Sequence, residues 1–212
     1  MLHDAEQLWE QFFVLHALSP VQQKQFRDYH SLLIATNKLH NLTAITDFAH
    51  VLSHHFADSL ALNRYIQWNT IKRFSDIGTG AGFPALPLKI LHPEIPLVLI
   101  EVSEKKGAFL QDVVEQLGLK LVSISPLDWR TFLRKTDFEI DLFTARASLK
   151  PEELIRVFAP SSPYKEAQLV YWAAKSWEPS RLVARYMKER HEYMIAQTPR
   201  SLILFQDTPS IR

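Results

Sequence analysis

Three glycines at alternate positions, in the stretch Asp76-Ile77-Gly78-Thr79-Gly80-Ala81-Gly82-Phe83-Pro84, constrain this chain more than any other feature. Glycine lets a backbone turn tightly and lets another group approach it closely, because it has no Cβ to clash. Apolar residues precede the stretch, and Pro84 suits the first turn of a following helix, where its missing N–H costs nothing. A strand, a glycine-rich turn and a helix in that order recur where a nucleotide-containing ligand sits at the carboxyl end of a parallel sheet. The free N–H groups at such a helix start favour a negative group.

The rest of the chain fits that sheet. From about residue 73, short apolar runs alternate with helical patterns, the mark of a parallel α/β fold. Strands are expected at 73–77, 97–101, 121–125, 140–144, 168–174 and 201–206, with helices near 84–91, 104–117, 128–134, 151–158 and 179–189, and another strand near 192–197. The first 70 residues differ, for they contain no Gly and read as helices. Leu8, Phe12 and Leu15 share one helical face. Ser19, Pro20 and Gln22 have the spacing of a capping box, opening a second helix whose buried stripe runs through Phe26, Tyr29 and Leu33. Asp47 is placed to cap a third, through His54, Leu60 and Tyr65. The expected organisation is a helical extension over 1–70 and an α/β domain over 71–212, within a length that supports one sizeable core.

Composition removes several function classes. Cysteine is absent, which excludes disulfides, thiolate catalysis and cysteine-based zinc sites. No stretch approaches the run of about 20 apolar residues that spans a bilayer. The opening Met1-Leu2-His3-Asp4-Ala5-Glu6 lacks a basic-then-apolar export signal, so the expectation is a cytoplasmic protein without membrane association. A net charge of +1 makes no global case for nucleic-acid binding.

Two further positions join the loop. Glu101 ends the apolar run Leu97-Val98-Leu99-Ile100, about 20 residues beyond the glycines, where an acid accepts hydrogen bonds from ribose hydroxyls. Asp128 follows the next strand and is placed to accept from an adenine amino group, with Leu127 and Phe83 as apolar walls; its other reading is a helix cap. The dinucleotide fingerprint needs a glycine at its sixth position, where this chain has Phe83 and then Pro84, so the spacing favours S-adenosylmethionine over NAD. Alone, the loop would be only a tight connection and Glu101 only a strand end. Together they point to a cofactor site made from Asp76, Gly78, Gly80, Gly82, Phe83, Glu101, Leu127 and Asp128.

In their order and approximate spacing, Asn41-Leu42-Thr43-Ala44-Ile45, His55-Phe56-Ala57-Asp58-Ser59-Leu60, residues 76–86, Glu104-Lys105-Lys106 with Phe109-Leu110, and Thr144-Ala145-Arg146-Ala147 resemble the bacterial 16S ribosomal RNA guanine-N7 methyltransferase family, RsmG or GidB. The resemblance covers roughly residues 35–150. It implies a Rossmann-like class I methyltransferase sheet with helices on both faces and an N-terminal helical extension. It also implies S-adenosyl-L-methionine as cofactor and N7 of a guanine in 16S ribosomal RNA, or in the small ribosomal subunit, as target, with no obligate protein partner. Family cofactor positions carry over to Gly78 and Phe83, and to Arg146 through Ala-Arg-Ala. The post-strand pair, usually Arg-x-Glu, falls in Pro126-Leu127-Asp128-Trp129-Arg130, on Leu127-Asp128 or on Trp129-Arg130. The acid suits the adenine amine, which favours the first. His55, Asp58 and Lys175 fall on the substrate side. Two departures stand out: Ser161-Ser162-Pro163-Tyr164 replaces a glycine-rich bend, and Ala174-Lys175-Ser176 replaces Leu-Lys-Gly.

Guanine N7 has an in-plane lone pair and no proton, so no general base is expected and the rate would come from alignment. Arg146, the candidate catalytic residue, would then serve positioning, toward a phosphate, guanine O6 or the cofactor carboxylate. His50, His54 and Asp58 recur at four-residue spacing, as metal ligands on one helix face would. The preferred reading is packing and helix hydrogen bonding, without metal. The basic stretch from Arg181 to Arg190, with Tyr186 and Lys188, reads as a solvated helix face before it reads as an RNA contact, and Lys105 and Lys106 read likewise. The alternatives are a class I methyltransferase acting on another RNA, a protein or a small molecule, and a non-methyltransferase Rossmann-type nucleotide-binding protein or NAD-dependent oxidoreductase.

Overall fold

The computed structural model describes residues 2–207. Its centre is a seven-stranded sheet in the order β3-β2-β1-β4-β5-β7-β6. The strands are β1 (Phe74–Ile77), β2 (Leu97–Ile100), β3 (Val122–Ser125), β4 (Leu142–Arg146), β5 (Gln168–Ala174), β6 (Met187–Ile195) and β7 (Thr198–Phe205). Strands β1 to β5 are parallel, while β7 runs antiparallel between β5 and β6. This is the Rossmann-like α/β sheet expected from the sequence.

The inner strands are apolar on both faces because helices cover both. Alternate residues point to opposite faces. Leu97 and Leu99 therefore join one core and Val98 and Ile100 the other. The first core takes in α5 (Ala85–Leu91) and α6 (Glu104–Gln116) together with the upstream helices α1 (Leu2–Leu15) and α2 (Pro20–His40). The helical front end and the sheet thus share one core. The second core packs α7 (Trp129–Lys135) and α8 (Pro151–Leu154) beneath the opposite face. Helix α2 begins as expected, with Ser19 and Gln22 completing the capping box and Pro20 in the first turn.

Three expectations are corrected. The third upstream helix is not one regular element: Asp47 caps α3 (Phe48–His50), which runs into a π-helical segment, Val51–Ala57, before α4 (Asp58–Leu60). The helix expected over 179–189 reduces to α9 (Arg181–Ala184), and Met187–Ile195 is strand β6. Lys, Glu, Arg and Met are good helix formers. Cross-strand pairing with β7 overrides that preference here, and a bulge between Met187 and Glu189 marks the entry. Strand β4 also runs two residues later than expected, which puts Arg146 at its carboxyl end.

Candidate functional site

The carboxyl ends of the parallel strands carry two adjoining cavities. The glycine loop separates them. Gly78 N–H and Thr79 N–H both donate to the Ile100 carbonyl, at 2.9 and 3.2 Å, locking the loop onto the end of β2. Gly78 and Gly80 have φ of +64° and +61°, which L side chains rarely adopt. A Cβ on Gly78 would stand 2.7 Å from that of Ser148, whereas the space beside Gly80 is open. A ligand can therefore come up against the Gly80 backbone.

Glu101 ties the loop to the sheet. One carboxylate oxygen accepts from Gly80 N–H at 2.9 Å and the other from Ser103 N–H at 2.9 Å. Each oxygen keeps a lone pair for a hydroxyl donor. The first cavity, about 580 Å³, is lined by Gly78, Glu101, Val102, Leu127, Asp128 and Leu149, among others. Val102 and Leu149 are 60% and 36% exposed, two apolar side chains at its rim. Asp128 lies at the wall and also caps α7, accepting from Thr131 N–H and Oγ1 at 3.0 and 2.6 Å. The Thr131 hydrogen bonds hold its carboxyl below the usual range. Asp128 thus caps α7, as its second reading has it, while lining the cavity. An acid beside a glycine turn with apolar plates suits a nucleoside, and Glu101, Leu127 and Asp128 could hold one.

The second cavity, about 370 Å³, shares Gly78, Lys106 and Ala147 with the first. Its wall includes Thr43, His55, Asp58, Phe83, Arg146 and Arg200. Asp58 is a buried hub. Its carboxylate accepts from Arg146 Nη1 at 3.0 Å, Arg200 Nη2 at 3.2 Å and the Tyr193 hydroxyl at 2.6 Å. Its backbone carbonyl accepts from Trp172 Nε1 at 2.9 Å. Burial beside this carboxylate pushes the Tyr193 hydroxyl well up, so it stays a donor. Two guanidinium groups on one carboxylate leave a surplus positive charge at the cavity wall.

His55 is neutral there. Burial first, and then the Arg146 charge, lower its pKa to about 3. Arg146 Nη2 faces His55 Nδ1 at 3.4 Å and can only donate. The ring proton therefore sits on Nε2, 2.8 Å from Thr43 Oγ1. Thr43 Oγ1 also accepts from Ile45 N–H at 3.0 Å. Its own proton then has no acceptor among the described residues, which makes Thr43 a donor available to the cavity. Phe83 stacks on His55 at 4.4 Å and on Tyr29 at 5.3 Å, with the Arg146 guanidinium over its ring.

The sequence-derived residues divide between the cavities. Glu101, Leu127 and Asp128 line the first; Gly80, Phe83, Arg146, His55 and Asp58 line the second, and Gly78 lines both. Phe83 is thus not beside Leu127. Gly82, φ +94°, turns the loop over Tyr29 and Leu86. Asp76 lies beneath the loop, where burial raises its carboxyl to about 7; one oxygen accepts from Thr144 Oγ1 at 2.7 Å and the other has no hydrogen-bond partner among the described residues. Lys175 lies outside both linings and pairs with Glu192 at 2.9 Å. Asp58 is turned to two arginines rather than to His50 and His54. Sequence reasoning missed Arg200, which lines the cavity, and Tyr193, which bonds the Asp58 carboxylate; both come from the β6–β7 hairpin, and no local pattern marks them. Thr43 lay within the Asn41–Ile45 segment but drew no role of its own.

Residues 22–191 match the family model GidB, described as rRNA small subunit methyltransferase G. Proteins named ribosomal RNA small subunit methyltransferase G are similar to this chain. That of Lachnoclostridium phytofermentans is 38% identical over 145 residues, 68% of this chain and 60% of the relative. That of Listeria welshimeri is 33% identical over 173 residues, 81% of this chain and 73% of the relative. The chain thus spans 60% of the length of the first relative. Among solved structures, human methyltransferase 10 domain containing protein has a TM-score of 0.58 at 14% identity, covering 85% of this chain and 98% of that one. A variant of MtNAS in complex with S-adenosylmethionine has a TM-score of 0.56 at 16% identity, covering 97% and 79%. These two likenesses establish the fold. Among the described residues, no helix is long and apolar enough to cross a membrane.

Proposed function

This chain belongs to the GidB family, rRNA small subunit methyltransferase G, and from that premise we propose that it uses S-adenosyl-L-methionine to methylate N7 of a guanine in 16S ribosomal RNA, in the cytoplasm. The observation that carries the reading is the shared wall: Gly78, Lys106 and Ala147 border both cavities, so a cofactor in one meets a base in the other. The reading takes 1–70 as a helical extension and 71–212 as the methyltransferase domain.

The first cavity would hold the cofactor. Glu101 would accept from the ribose hydroxyls, Leu127 and Asp128 would border the adenine, and the methionine part would pass the shared wall at Gly78 to lie along Gly80 and Ala81 at the edge of the second cavity. When bound, S-adenosylmethionine supplies a methyl group made electrophilic by its sulfonium sulfur. The second cavity would hold the guanine. Its N7 and O6 are both acceptors, so no residue has to remove a proton. A neutral His55 suits that task better than a charged one, because a cation against N7 opposes the charge that methylation leaves on the base. Arg146 and Arg200, held by Asp58, are placed instead for O6 or a phosphate, and the Thr43 hydroxyl offers one more donor. Alignment of the base beside Arg146 and the His55 ring, which Phe83 backs, would supply most of the acceleration.

The test is methyl transfer from labelled S-adenosylmethionine to purified small subunits that lack the modification, followed by nucleoside analysis. Label in 7-methylguanosine is expected. Label in another nucleoside, or none in RNA, overturns the assignment.

A further inference from the structure

Tyr29 belongs to α2, more than forty residues upstream of the glycine loop, and its side chain is fully buried beneath that loop. Its hydroxyl donates to the Ala81 carbonyl at 2.5 Å. Its ring stacks on Phe83, with centroids 5.3 Å apart and planes 17° from parallel. A Cβ on Gly82 would stand 2.5 Å from the Tyr29 oxygen, so the third glycine of the loop is the one that makes room for this hydroxyl. Burial raises the Tyr29 pKa well above its ordinary value, which keeps the group a donor.

The loop is therefore anchored twice from outside. Glu101 holds the Gly80 N–H and Tyr29 holds the Ala81 carbonyl. Between these anchors, the Ala81 N–H has no partner among the described residues, and Ala81 lines the second cavity beside the shared wall. A backbone donor fixed at its neighbouring carbonyl is pre-organised for an anionic acceptor such as a carboxylate.

We propose that Tyr29 is a positioning residue for cofactor binding, one that fixes the glycine loop from the helical extension and so holds the Ala81 N–H open to the ligand. The inference rests on the cofactor reading given above. A purely structural Tyr29 would lower stability when altered and leave cofactor affinity alone. A positioning Tyr29 moves affinity itself.

Tyr29→Phe keeps the stacked ring and removes only the hydroxyl. Calorimetry with S-adenosylhomocysteine is expected to show about tenfold weaker binding, as loss of one well-aligned hydrogen bond to the loop predicts. The methyl-transfer rate at saturating cofactor should stay within about twofold, since a loop that is filled is again ordered. Unchanged affinity overturns the inference, whatever happens to the melting temperature. A wild-type chain that binds no S-adenosylhomocysteine removes the cofactor reading and this inference with it; normal binding by both proteins removes the inference alone. Should Tyr29→Phe fail to fold, hydrogen exchange of the wild-type chain decides. The Gly82 and Phe83 amides are expected to be protected before any ligand is added, and rapid exchange there would contradict a pre-fixed loop.

Discussion

The two cavities at the carboxyl end of the sheet are neighbours with different construction. The first is assembled mainly from the ends of β1, β2, β3 and β4 and the turns after them, so most of its wall residues follow their strands closely. The second gathers residues from the segment before α3, the π-helical segment, β4 and β7, joined through a single buried carboxylate. The first is mainly apolar, with the acids Glu101, Asp128 and Glu153 in its wall. The second is charged. The contrast teaches that a cofactor site can be written locally in a parallel sheet, whereas the surface that meets the second reactant depends on long-range docking of the helical front end and the terminal hairpin.

Asp58 gives the sharpest way to break that contrast. Asp58→Ala leaves two guanidinium groups and a tyrosine hydroxyl without their shared acceptor, and denaturant unfolding is expected to show a loss of about 3–5 kcal/mol. A loss below about 1 kcal/mol, the size of an exposed pair, would mean that the hub does not hold the second cavity together. Glu101→Ala tests the other side. Calorimetric affinity for S-adenosylhomocysteine should fall about 10- to 100-fold, because a charged acceptor of two backbone donors and the ligand is gone. Its KM for small subunits at saturating cofactor should hardly change.

Arg200→Ala should do the reverse. Cofactor affinity should be retained, while KM for the subunits rises and the slope of log affinity against log salt falls by about one, the signature of one lost phosphate contact. An unchanged slope would assign Arg200 to the base or to structure alone. Asp76 gives a test through pH. Its folded pKa of about 7 lies above the ordinary carboxylate value, so its contribution to stability is full in acid and is lost as pH rises toward 7. Asp76→Asn should remove that component, making the stability of the variant relative to wild type improve between about pH 4 and pH 7. A difference that does not vary with pH would show that Asp76 is not held protonated.

The same contrast explains what could be read in advance. The glycine loop, Glu101 at the end of β2, strands β1, β2 and β5 and the Ser19–Gln22 capping box are local signals, and each falls where spacing places it. The β6–β7 hairpin carries no such signal. Its Lys-, Glu- and Arg-rich strand has helix-forming residues and little apolar alternation, and only pairing with β7 makes it a strand. Arg200 and Tyr193 entered the site through that hairpin and were missed with it. The Asp58 hub was missed for a related reason: the sequence places an acid on a helix next to histidines, but nothing in the spacing shows that its oxygens turn to arginines some 88 and 142 residues away. Tyr29 was visible as part of a buried stripe, and its hydroxyl contact with the loop was not.

Hydrogen exchange with and without S-adenosylhomocysteine tests the division between the cavities most directly. The account predicts added protection over 77–82, 100–106, 127–130 and 147–149, with little change over 193–200. Protection centred on 193–200, or no protection at the glycine loop, would contradict it.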